Sequence, residues 1–343
     1  MRPGRPVVRA AAQLVLLLAA LVVAAACGSR PSGEIRIPRG AGGVGFLPLL
    51  VMEKHSLIEK HAREAGLETV TVRWIDLGGP SVVNDALLSG AADYSAAGPP
   101  AFITLWDRTR DSVGVAGVAA MTSMPMYLNT TKEHLRTLDD VRPDDKIAVT
   151  AIKVSIPALV MQMYAAGKYG AAEADRFDKY TVSMTHPDAL VALLSGGTGI
   201  SAHFTSPPFH QRERKNPQVR TILTSDDVMG GSTTFTMLAT TKKFREENPQ
   251  AYTAVLRALE EANAWISSDP RAAAGLLLAS TPDSGFTLDE TVAMLEDPAF
   301  KFTTTPENVK KYADFMHDTG SIRAEPADWK DMFFPEIHSA PGS

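Results

Sequence analysis

Two kinds of hydrophobic pattern alternate along most of the chain. Some segments place apolar residues at every second position, as in TVTVRWI (69–75) and KIAVTAI (146–152). Others repeat apolar residues at three- and four-residue spacing, as in FLPLLVMEKHSLIEKHAREAG (46–66) and VSIPALVMQMYAAGKYG (154–170). The short period is typical of half-buried strands, and the longer spacing is typical of amphipathic helices. The pattern therefore predicts strands that are separated by helices.

This alternation predicts an α/β fold. Strands joined by helices of this length are expected to pair in parallel through right-handed crossovers, with helices on both faces of the sheet. One unit of this kind begins at Glu34, and a second begins near Asp140. The chain has 343 residues, 45% of them hydrophobic, which is enough for two ordinary cores.

Two stretches that flank the second unit resemble each other. MYLNTTKEHLRTLDD (126–140) and TMLATTKKFREENPQ (236–250) each contain a short apolar strand, a Thr-Thr-Lys turn and a charged helix start. One leads into the second unit and the other leads out of it, as a hinge of two strands requires. The predicted domains are a discontinuous first lobe, residues 34–125 plus 236–343, and a second lobe, residues 126–235, with hinge strands at its ends.

The N-terminal segment has the composition of an export signal. Three arginines and no acidic residue precede an apolar run from Ala10 to Ala26, which is slightly short for a helix that spans a bilayer. The single cysteine of the sequence, Cys27, follows this run. We interpret residues 1–26 as a cleaved signal peptide and residues 27–33 as a polar linker. A buried free cysteine in a domain core is the alternative interpretation of Cys27.

Charge and cysteine content restrict the class of protein further. Removal of the signal takes away three arginines and changes the formal net charge from −5 to −8. No basic run is present, so the sequence predicts no nucleic-acid partner. Because no cysteine follows Cys27, disulfide bonds cannot stabilise the fold.

The order of these features resembles a known protein family. Residues 24–27 (AAAC) resemble a bacterial lipobox, and a strand, a Gly-rich loop and the helical stretch 46–66 follow. LRTLDDVRPDDKIAV (135–149), a helix started by Ser and Pro, and HPDALVALLSGG (186–197) complete the series. This order is similar to that of the solute-binding proteins of bacterial ABC importers. It resembles most the branch that handles sulfonates, taurine, nitrate and thiamine-pyrimidine precursors.

The resemblance implies a specific architecture and set of partners. It implies a two-lobed, type II periplasmic-binding-protein-like fold, in which each lobe is a mostly parallel sheet flanked by helices. It also implies that Cys27 carries lipid, which would anchor an exported, monomeric protein to the outer face of the cell membrane or in the periplasm. The implied partners are a small-molecule solute and the permease of an ABC transporter.

Motifs for other chemistry are weak or missing. Gly40, Gly42 and Gly45 match the G-x-G-x-x-G dinucleotide fingerprint, but the nearest candidate acid for the ribose, Asp76, lies too far along the chain. His55 and His61 do not have metal-ligand spacing on a helix, and no G-x-S-x-G sequence occurs. We therefore predict no cofactor, no metal site and no enzymatic activity.

Candidate binding residues follow from the position of the strand ends. In α/β sheets, ligands bind beyond the carboxyl ends of the strands. The loops predicted there are rich in Gly, Ser and Thr and nearly free of carboxylates, which suits an anion because helix N-termini add partial positive charge. The candidate ligand-binding residues are Arg39, Gly43, Gly45, Phe46, Gly79, Ser81, Gly98, Pro99, Ser123, Lys153, Ser155, Thr205 and Ser206.

The start of the helical stretch after Lys153 is the most specific of these candidates. Ser155, with Pro157 two residues later, predicts an N-cap followed by an early-turn proline. We expect an anionic head group between this helix start and the Gly-rich loop of the first lobe, with Lys153 as the mobile charge and Ser155 with backbone amides as the fixed donors. For Arg39 and Lys153, a position in solvent is an equally open interpretation.

The sequence thus predicts a lipid-anchored substrate-binding subunit of an importer for a small anion such as a sulfonate, taurine or nitrate. A receptor for a pyrimidine or another neutral aromatic compound is the alternative within the same class. Outside that class, the alternatives are a secreted enzyme on the same fold and a lipoprotein that binds another protein.

Overall fold

The computed structural model describes residues 33–40, 42–77, 80–196 and 199–343. The predicted signal peptide, the linker up to Ser32 and Gly79 lie outside the described residues, as does Cys27. Within the described part of the chain, no helix is both long enough and apolar enough to cross a membrane.

Strands and helices alternate through the first two thirds of the described chain, and helices dominate the last third. The strands are β1 (Glu34–Pro38), β2 (Thr71–Ile75), β3 (Tyr94–Ala97), β4 (Val115–Ser123), β5 (Tyr127–Thr130), β6 (Ile147–Val149), β7 (Thr181–Ser183), β8 (Ala202–Thr205), β9 (Arg220–Thr224), β10 (Thr234–Thr241) and β11 (Lys301–Phe302). The α-helices are α1 (Leu47–Lys54), α2 (Leu57–Glu64), α3 (Pro80–Leu88), α4 (Pro99–Thr109), α5 (Ile156–Tyr169), α6 (His186–Ser195), α7 (Phe209–Arg214), α8 (Ser225–Met229), α9 (Lys242–Glu247), α10 (Pro249–Ser268), α11 (Pro270–Ser280), α12 (Leu288–Leu295) and α13 (Val309–Asp318).

The strands form three hydrogen-bonded sheets. A five-stranded sheet has the order β7-β6-β8-β5-β9, and a four-stranded sheet has the order β11-β4-β10-β3. The third sheet contains β1 and β2, and it lies beside β3 because the Asp93 backbone N–H donates to the Arg36 carbonyl at 2.9 Å. With β1 and β2 added, the strand order β2-β1-β3-β10-β4 of one half matches the order β7-β6-β8-β5-β9 of the other.

The prediction of mostly parallel sheets is correct only in part. β6 pairs in parallel with β7 and β8, but β5 pairs antiparallel with β8 and β9. In the four-stranded sheet, β10 is antiparallel to both β3 and β4, and β11 is antiparallel to β4. β3 and β4 therefore run in the same direction, as strands joined by a helix should, but β10 returns from later in the chain and lies between them. Local alternation of strands and helices cannot reveal such an inserted strand.

The chain passes twice between the two larger sheets, and the two passages lie side by side. The first passage joins β4 to β5 and the second joins α8 to β10. The Met124 backbone N–H donates to the Thr233 carbonyl at 3.2 Å, and the Ser225 N–H donates to the Met126 carbonyl at 2.9 Å. The inserted strands β5 and β10 lead into the two Thr-Thr-Lys turns, 130–132 and 240–242, that the sequence pairs with each other.

Helix boundaries follow from a few special residues. The single helix expected over residues 46–66 is two helices, because Ser56 adopts a left-handed conformation at φ 50° between α1 and α2. Gly66, at φ 85°, follows the end of α2, and the Leu67 N–H donates to the Ala62 carbonyl in a Schellman arrangement. Ser81 lies inside α3, because this helix already begins at Pro80.

Buried apolar side chains form one large cluster that includes both of the larger sheets. Val118 and Leu238 belong to the four-stranded sheet, Leu128 and Phe204 belong to the five-stranded sheet, and all four are fully buried. The central strands of both larger sheets thus bury their side chains, whereas β2 and β9 at sheet edges are only partly buried.

Candidate functional site

The carboxyl-end loops of the two halves of the structure touch each other at two points. A Cβ atom placed on Gly43, in the loop after β1, would lie 3.7 Å from Pro208, in the loop after β8. A Cβ atom placed on Gly98, in the loop after β3, would lie 2.9 Å from the Cδ1 atom of Ile156, the first residue of α5. β1 and β6 have equivalent positions in their strand orders, and so do β3 and β8. The first contact joins the loops after β1 and β8, and the second joins the loops after β3 and β6, so the two contacts are equivalent.

A repeated sequence explains this correspondence. Leu87–Gly90 and Leu193–Gly196 both read LLSG and close α3 and α6, and both terminal glycines have positive φ. Each stretch is followed by a strand and then by a Pro-Pro pair, at Pro99–Pro100 and Pro207–Pro208. The Thr130 hydroxyl donates to the Ser201 carbonyl and the Thr240 hydroxyl donates to the Asp93 carbonyl, both at 2.6 Å. The two halves therefore share one helix-strand-turn unit with one inserted strand beside it.

The start of α5 has the geometry that the sequence predicts. Ser155 is the N-cap, its hydroxyl accepts from the Ala158 N–H at 3.4 Å, and Pro157 lies in the first turn. The same hydroxyl donates to the Ala151 carbonyl at 2.6 Å. The prediction of an N-cap at Ser155 is confirmed. The contact of this helix start across the gap is with Gly98, whereas the Gly-rich loop meets Pro208.

Lys153 lies at the edge of a groove along α5. Its backbone is left-handed, at φ 69°, and its side chain is exposed. The groove has a volume of about 640 Å³. It is lined by Asp139, Val141, Lys153, Tyr169, Glu173, Asp175, Arg176, Phe177, Asp178, Lys179 and Tyr180. Burial raises the pKa of Asp178, and Lys153 opposes this shift, so the lysine charge acts on a carboxylate in this conformation.

Arg39 is engaged by two carboxylates. Its Nε and Nη2 atoms donate to Glu53 at 2.9 and 2.6 Å, and its Nη1 atom donates to Asp76 at 2.7 Å. Hydrogen bonding to Glu53, opposed by desolvation, raises the guanidinium pKa further above its usual range. The positive charge at the end of β1 is therefore neutralised within the protein.

The glycine loop after β1 contains two different kinds of residue. Gly45 packs against the four-stranded sheet, where the Phe235 ring occupies the place of a Cβ atom and the Thr236 hydroxyl donates to the Gly45 carbonyl at 2.6 Å. The Phe46 ring folds back over Gly40 and is half-buried. Gly43, at φ 78°, is the residue of this loop that faces the other half of the structure.

The remaining candidate ligand-binding residues lie in different places, some at the contact between the two halves and others buried at strand ends. Gly98 and Pro99 form the start of α4, directly at the contact with Ile156. Thr205 ends β8, Ser206 follows it, and both are buried. Ser123 ends β4, is fully buried, and is one of the hydroxyls that lower the pKa of Glu307 against the effect of burial. Gly79 lies outside the described residues, and only the backbone of Ser81 is described.

A buried histidine-carboxylate network lies at the edge of the five-stranded sheet where β7 and β8 end. His203 on β8 has its Nδ1 atom 2.5 Å from Glu213 Oε1, and the two side chains are 1% and 0% exposed. His203 Nε2 lies 2.9 Å from Nδ1 of His186, the first residue of α6. The chain of hydrogen bonds thus runs from a fully buried carboxylate to a half-buried ring at the carboxyl end of β7.

Asn129 fixes the other side of this network. Its amide nitrogen donates to Glu213 Oε2 at 2.7 Å and approaches His210 Nδ1 at 3.1 Å, while its amide oxygen accepts from the Thr221 hydroxyl at 2.7 Å. His210 stacks on Tyr127 with ring centroids 3.6 Å apart. Burial and the charge of Arg214 lower the pKa of His210 to about 4, so the ring is neutral at pH 7.

His186 is positioned by its neighbours in the loop at the carboxyl end of β7. Its ring stacks on Phe209 with centroids 5.3 Å apart, and Phe209 directly follows Pro208, which faces Gly43. Burial, together with the His203 ring, lowers the pKa of His186 to about 3. The sequence pattern places His186 at a strand end but gives no reason to choose it, because its partners His203 and Glu213 are far apart in the chain and joined only by folding.

The described residues contain no group of three or more His, Cys, Asp or Glu side chains with metal-binding geometry. The chemistry that the site offers is hydrogen bonding from helix starts, neutral imidazole rings and one buried carboxylate.

Comparison of the backbone with solved structures identifies the fold. No protein-family model and no curated protein sequence matches the chain. The periplasmic aliphatic sulphonate binding protein SsuA from Escherichia coli superposes with a TM-score of 0.63 at 16% identity, over 88% of this chain and 92% of that chain. The fold is that of the periplasmic binding proteins.

Other solved periplasmic binding proteins show the same likeness. The alkanesulfonate-binding protein SsuA from Xanthomonas axonopodis pv. citri, bound to MOPS, gives a TM-score of 0.61 at 15% identity, over 87% of this chain and 96% of that chain. The periplasmic nitrate-binding protein NrtA from Synechocystis PCC 6803 gives 0.62 at 13% identity, over 88% and 83%. The predicted periplasmic-binding-protein fold is confirmed.

Proposed function

We propose that this protein is the extracytoplasmic substrate-binding subunit of an ABC importer and that it captures a small anion between two lobes. The observation that carries the proposal is the paired arrangement of the two halves. Each presents the same carboxyl-end loops and helix starts to the other, and the contacts at Gly43–Pro208 and Gly98–Ile156 are equivalent. In α/β sheets this edge is where ligands bind.

Each lobe in this proposal is built around one of the two larger sheets. Residues 34–125 with 236–343 form the first lobe and residues 126–235 form the second. The two adjacent passages at Met124 and Thr233 then act as the hinge, because they are the places where the backbone joins the sheets. Closure of the lobes encloses the solute, and the closed form docks on the permease.

The class of solute is proposed from the site and from the solved neighbours. Three of those neighbours are named as binding sulphonate, alkanesulfonate and nitrate. The helix starts at Pro99 and Ile156 lie close to each other across the gap, and each contributes partial positive charge. Among the predicted residues, Gly43, Gly98, Pro99, Lys153 and Ser155 remain our candidates for contact with a sulfonate, taurine or nitrate-like solute.

A neutral aromatic solute such as a pyrimidine is the second candidate. The observation that favours it is the pairing of Arg39 with Glu53 and Asp76, which removes one predicted cation from the site. The stacked pairs Tyr127–His210 and His186–Phe209 would also suit a flat ring.

The remaining parts of the proposal concern location and activity. We propose export, lipid attachment at Cys27, a monomeric state and no catalytic role. A lipid on Cys27 would hold the binding domain at the outer face of the cell membrane or in the periplasm, within reach of the permease.

A solute screen tests the proposed function. A ligand that binds only the folded state stabilises it by about 2.7 kcal/mol at a hundredfold excess over Kd, so we expect Tm to rise by several degrees with the correct solute. The panel contains nitrate, taurine, ethanesulfonate and a neutral aminopyrimidine, measured in buffers free of sulfonate and phosphate. A shift with the pyrimidine alone would select the second candidate, and no shift with any solute would contradict the proposed function.

A further inference from the structure

His186, His203 and Glu213 are joined in series by two hydrogen bonds, each with one proton. We call these three residues the relay. Glu213 Oε1 and His203 Nδ1 are 2.5 Å apart, and His203 Nε2 and His186 Nδ1 are 2.9 Å apart. One ring atom of the relay remains, His186 Nε2. Among the described residues it has no hydrogen-bond partner, and His186 is half-buried at the start of α6, in the loop at the carboxyl end of β7.

The fold itself does not require this relay. His203 lies opposite Asn129 of β5, and the equivalent position opposite Ala239 of β10 is Ser95. The Ser95 hydroxyl donates to the Asn84 amide oxygen at 2.9 Å, which is a neutral pair. One half of the structure therefore fills this position with uncharged groups, while the other buries a carboxylate there. Burial of a charge is costly unless it is paired, so its presence at the cleft edge points to a role in binding.

We propose that His186 contacts the anionic group of the solute and that anion binding is coupled to uptake of one proton through the relay. The inference rests on the proposed function and adds to it the residue that contacts the anion.

Two protonation states of the relay differ by one proton. In the first, His203 Nδ1–H donates to the Glu213 carboxylate and His186 Nδ1–H donates to His203 Nε2. His186 Nε2 is then an acceptor and the relay carries one negative charge. An anion at this edge would meet a lone pair with a buried carboxylate behind it.

The second state forms when a proton from solvent binds His186 Nε2 and the His186 Nδ1 proton moves to His203 Nε2. His186 stays neutral and now presents an N–H donor to the solute, while the positive charge resides on His203 beside Glu213. The net charge of the relay becomes zero. An anion accepts a hydrogen bond from His186 only in this state, so its binding draws the proton in.

Among the residues that the structure describes, no other charged group close to the relay stabilises one of its two protonation states, so solute binding can decide between them. Within the described residues, no lysine or arginine nitrogen lies within 4 Å of the Glu213 carboxylate, whose ion-pair partner is His203. Asp188, in the first turn of α6, is hydrogen-bonded to the Thr185 hydroxyl at 2.6 Å. Arg214 and Asp297 act on His210, which is separated from the relay by Asn129.

The test is calorimetric titration with nitrate, taurine and ethanesulfonate in two buffers of different ionisation enthalpy, neither of them a sulfonate or phosphate. We expect uptake of about one proton per anion at alkaline pH, with an affinity that falls up to about tenfold per pH unit. Glu213→Gln removes the buried charge, so proton uptake should disappear. His186→Asn keeps a group near His203 but removes the Nε2 edge, so affinity should fall at least about tenfold.

A matched control lies at the opposite edge of the same sheet. His134 Nε2 is 2.8 Å from Asp145 Oδ2, another histidine-carboxylate pair, and His134→Gln should leave proton uptake unchanged. If Glu213→Gln does not fold, His186→Asn at its half-buried position still decides the question. Anion binding without proton uptake, or unchanged affinity in His186→Asn, would overturn the relay while leaving the proposed function intact. A protein that binds none of the anions overturns both.

Discussion

Ser155 shows how one side chain can fix a helix start at the proposed cleft. Its hydroxyl accepts from the Ala158 N–H and donates to the Ala151 carbonyl, so it joins the first turn of α5 to the loop after β6. Pro157 has no N–H and the Ala158 N–H is bonded to Ser155, so what this helix start can add to a nearby anion is mainly the partial positive charge of the helix dipole.

Replacement of Ser155 by alanine should therefore lower stability even without a solute. An N-cap serine is worth about 1 kcal/mol, and we expect a loss of that size in the free energy of unfolding. Urea titration followed by circular dichroism measures it, with Ser155→Thr as the control that keeps the hydroxyl. Equal midpoints for Ser155→Ala and the unmodified protein would show that the cap adds no stability.

For single residues, the sequence predicts interactions between near neighbours in the chain and misses interactions between residues that only folding brings together. The Ser155 cap depends on neighbours within a few positions, so the pattern predicts it. Arg39 finds Glu53 and Asp76, and His203 finds Glu213, only after folding has brought their elements together. A candidate list drawn from strand ends therefore includes Arg39, whose charge is already paired, and omits His186.

At the scale of elements, two antiparallel strands give the sheets their order. β5 lies between β8 and β9, and β10 lies between β3 and β4, so each lobe of the proposal receives a strand just after the chain has crossed the hinge. The sequence likeness between 126–140 and 236–250 agrees with the equivalent positions of β5 and β10 in their sheets. Helix and strand alternation alone predicts neighbours in parallel, because it contains no information on strands that return from a distance.

Gly98 is the place where this architecture requires the absence of a side chain. A Cβ atom there would lie 2.9 Å from Ile156 Cδ1 and 3.1 Å from the Phe235 carbonyl oxygen, both tighter than ordinary contact. Gly98→Ala should force the end of the Ile156 side chain to move and press on the Phe235 carbonyl, at a cost of about 1 kcal/mol, the low end of the range for overpacking. Urea titration should show the corresponding loss in the free energy of unfolding.

Two further variants make this expectation specific. Ile156→Val removes the Cδ1 atom, so Gly98→Ala should cost less stability in the Ile156→Val protein than in the unmodified protein. Gly167→Ala is the glycine control that should lose no stability, because a Cβ atom there meets nothing within 4 Å. An unchanged urea midpoint in Gly98→Ala would show that the helix starts accommodate the methyl group.

At the scale of the whole molecule, one contact between the proposed lobes away from the hinge is an ion pair near the surface. Lys215 pairs with Glu290 at 2.7 Å and lies 4.7 Å from the centre of the Phe286 ring, but both charged side chains are substantially exposed. Exposed ion pairs contribute about 0–1 kcal/mol, so they cannot hold the lobes closed alone. A solute that contacts both lobes can then shift the balance with a modest difference in affinity.

Membrane attachment in the proposed function depends on one residue. Cys27 is the single cysteine of the chain, and the structure describes the chain from Gly33 onward. If Cys27 is the lipid site, Cys27→Ala should release the protein from membranes while its Tm stays unchanged, because the lipid lies outside both cores. Two acyl chains hold a protein durably and one does so only marginally, so the release should be nearly complete.

Membrane fractionation after a high-salt wash measures this release, and Cys27→Ser provides a second variant of the same kind. Metabolic labelling with a fatty acid should mark the unmodified protein and neither variant. A Cys27→Ala protein that stays with the membrane, folded and unlabelled, would mean that an uncleaved signal segment acts as the anchor. The short apolar run from Ala10 to Ala26 argues against that outcome, because it falls below the roughly 20 residues that a spanning helix needs.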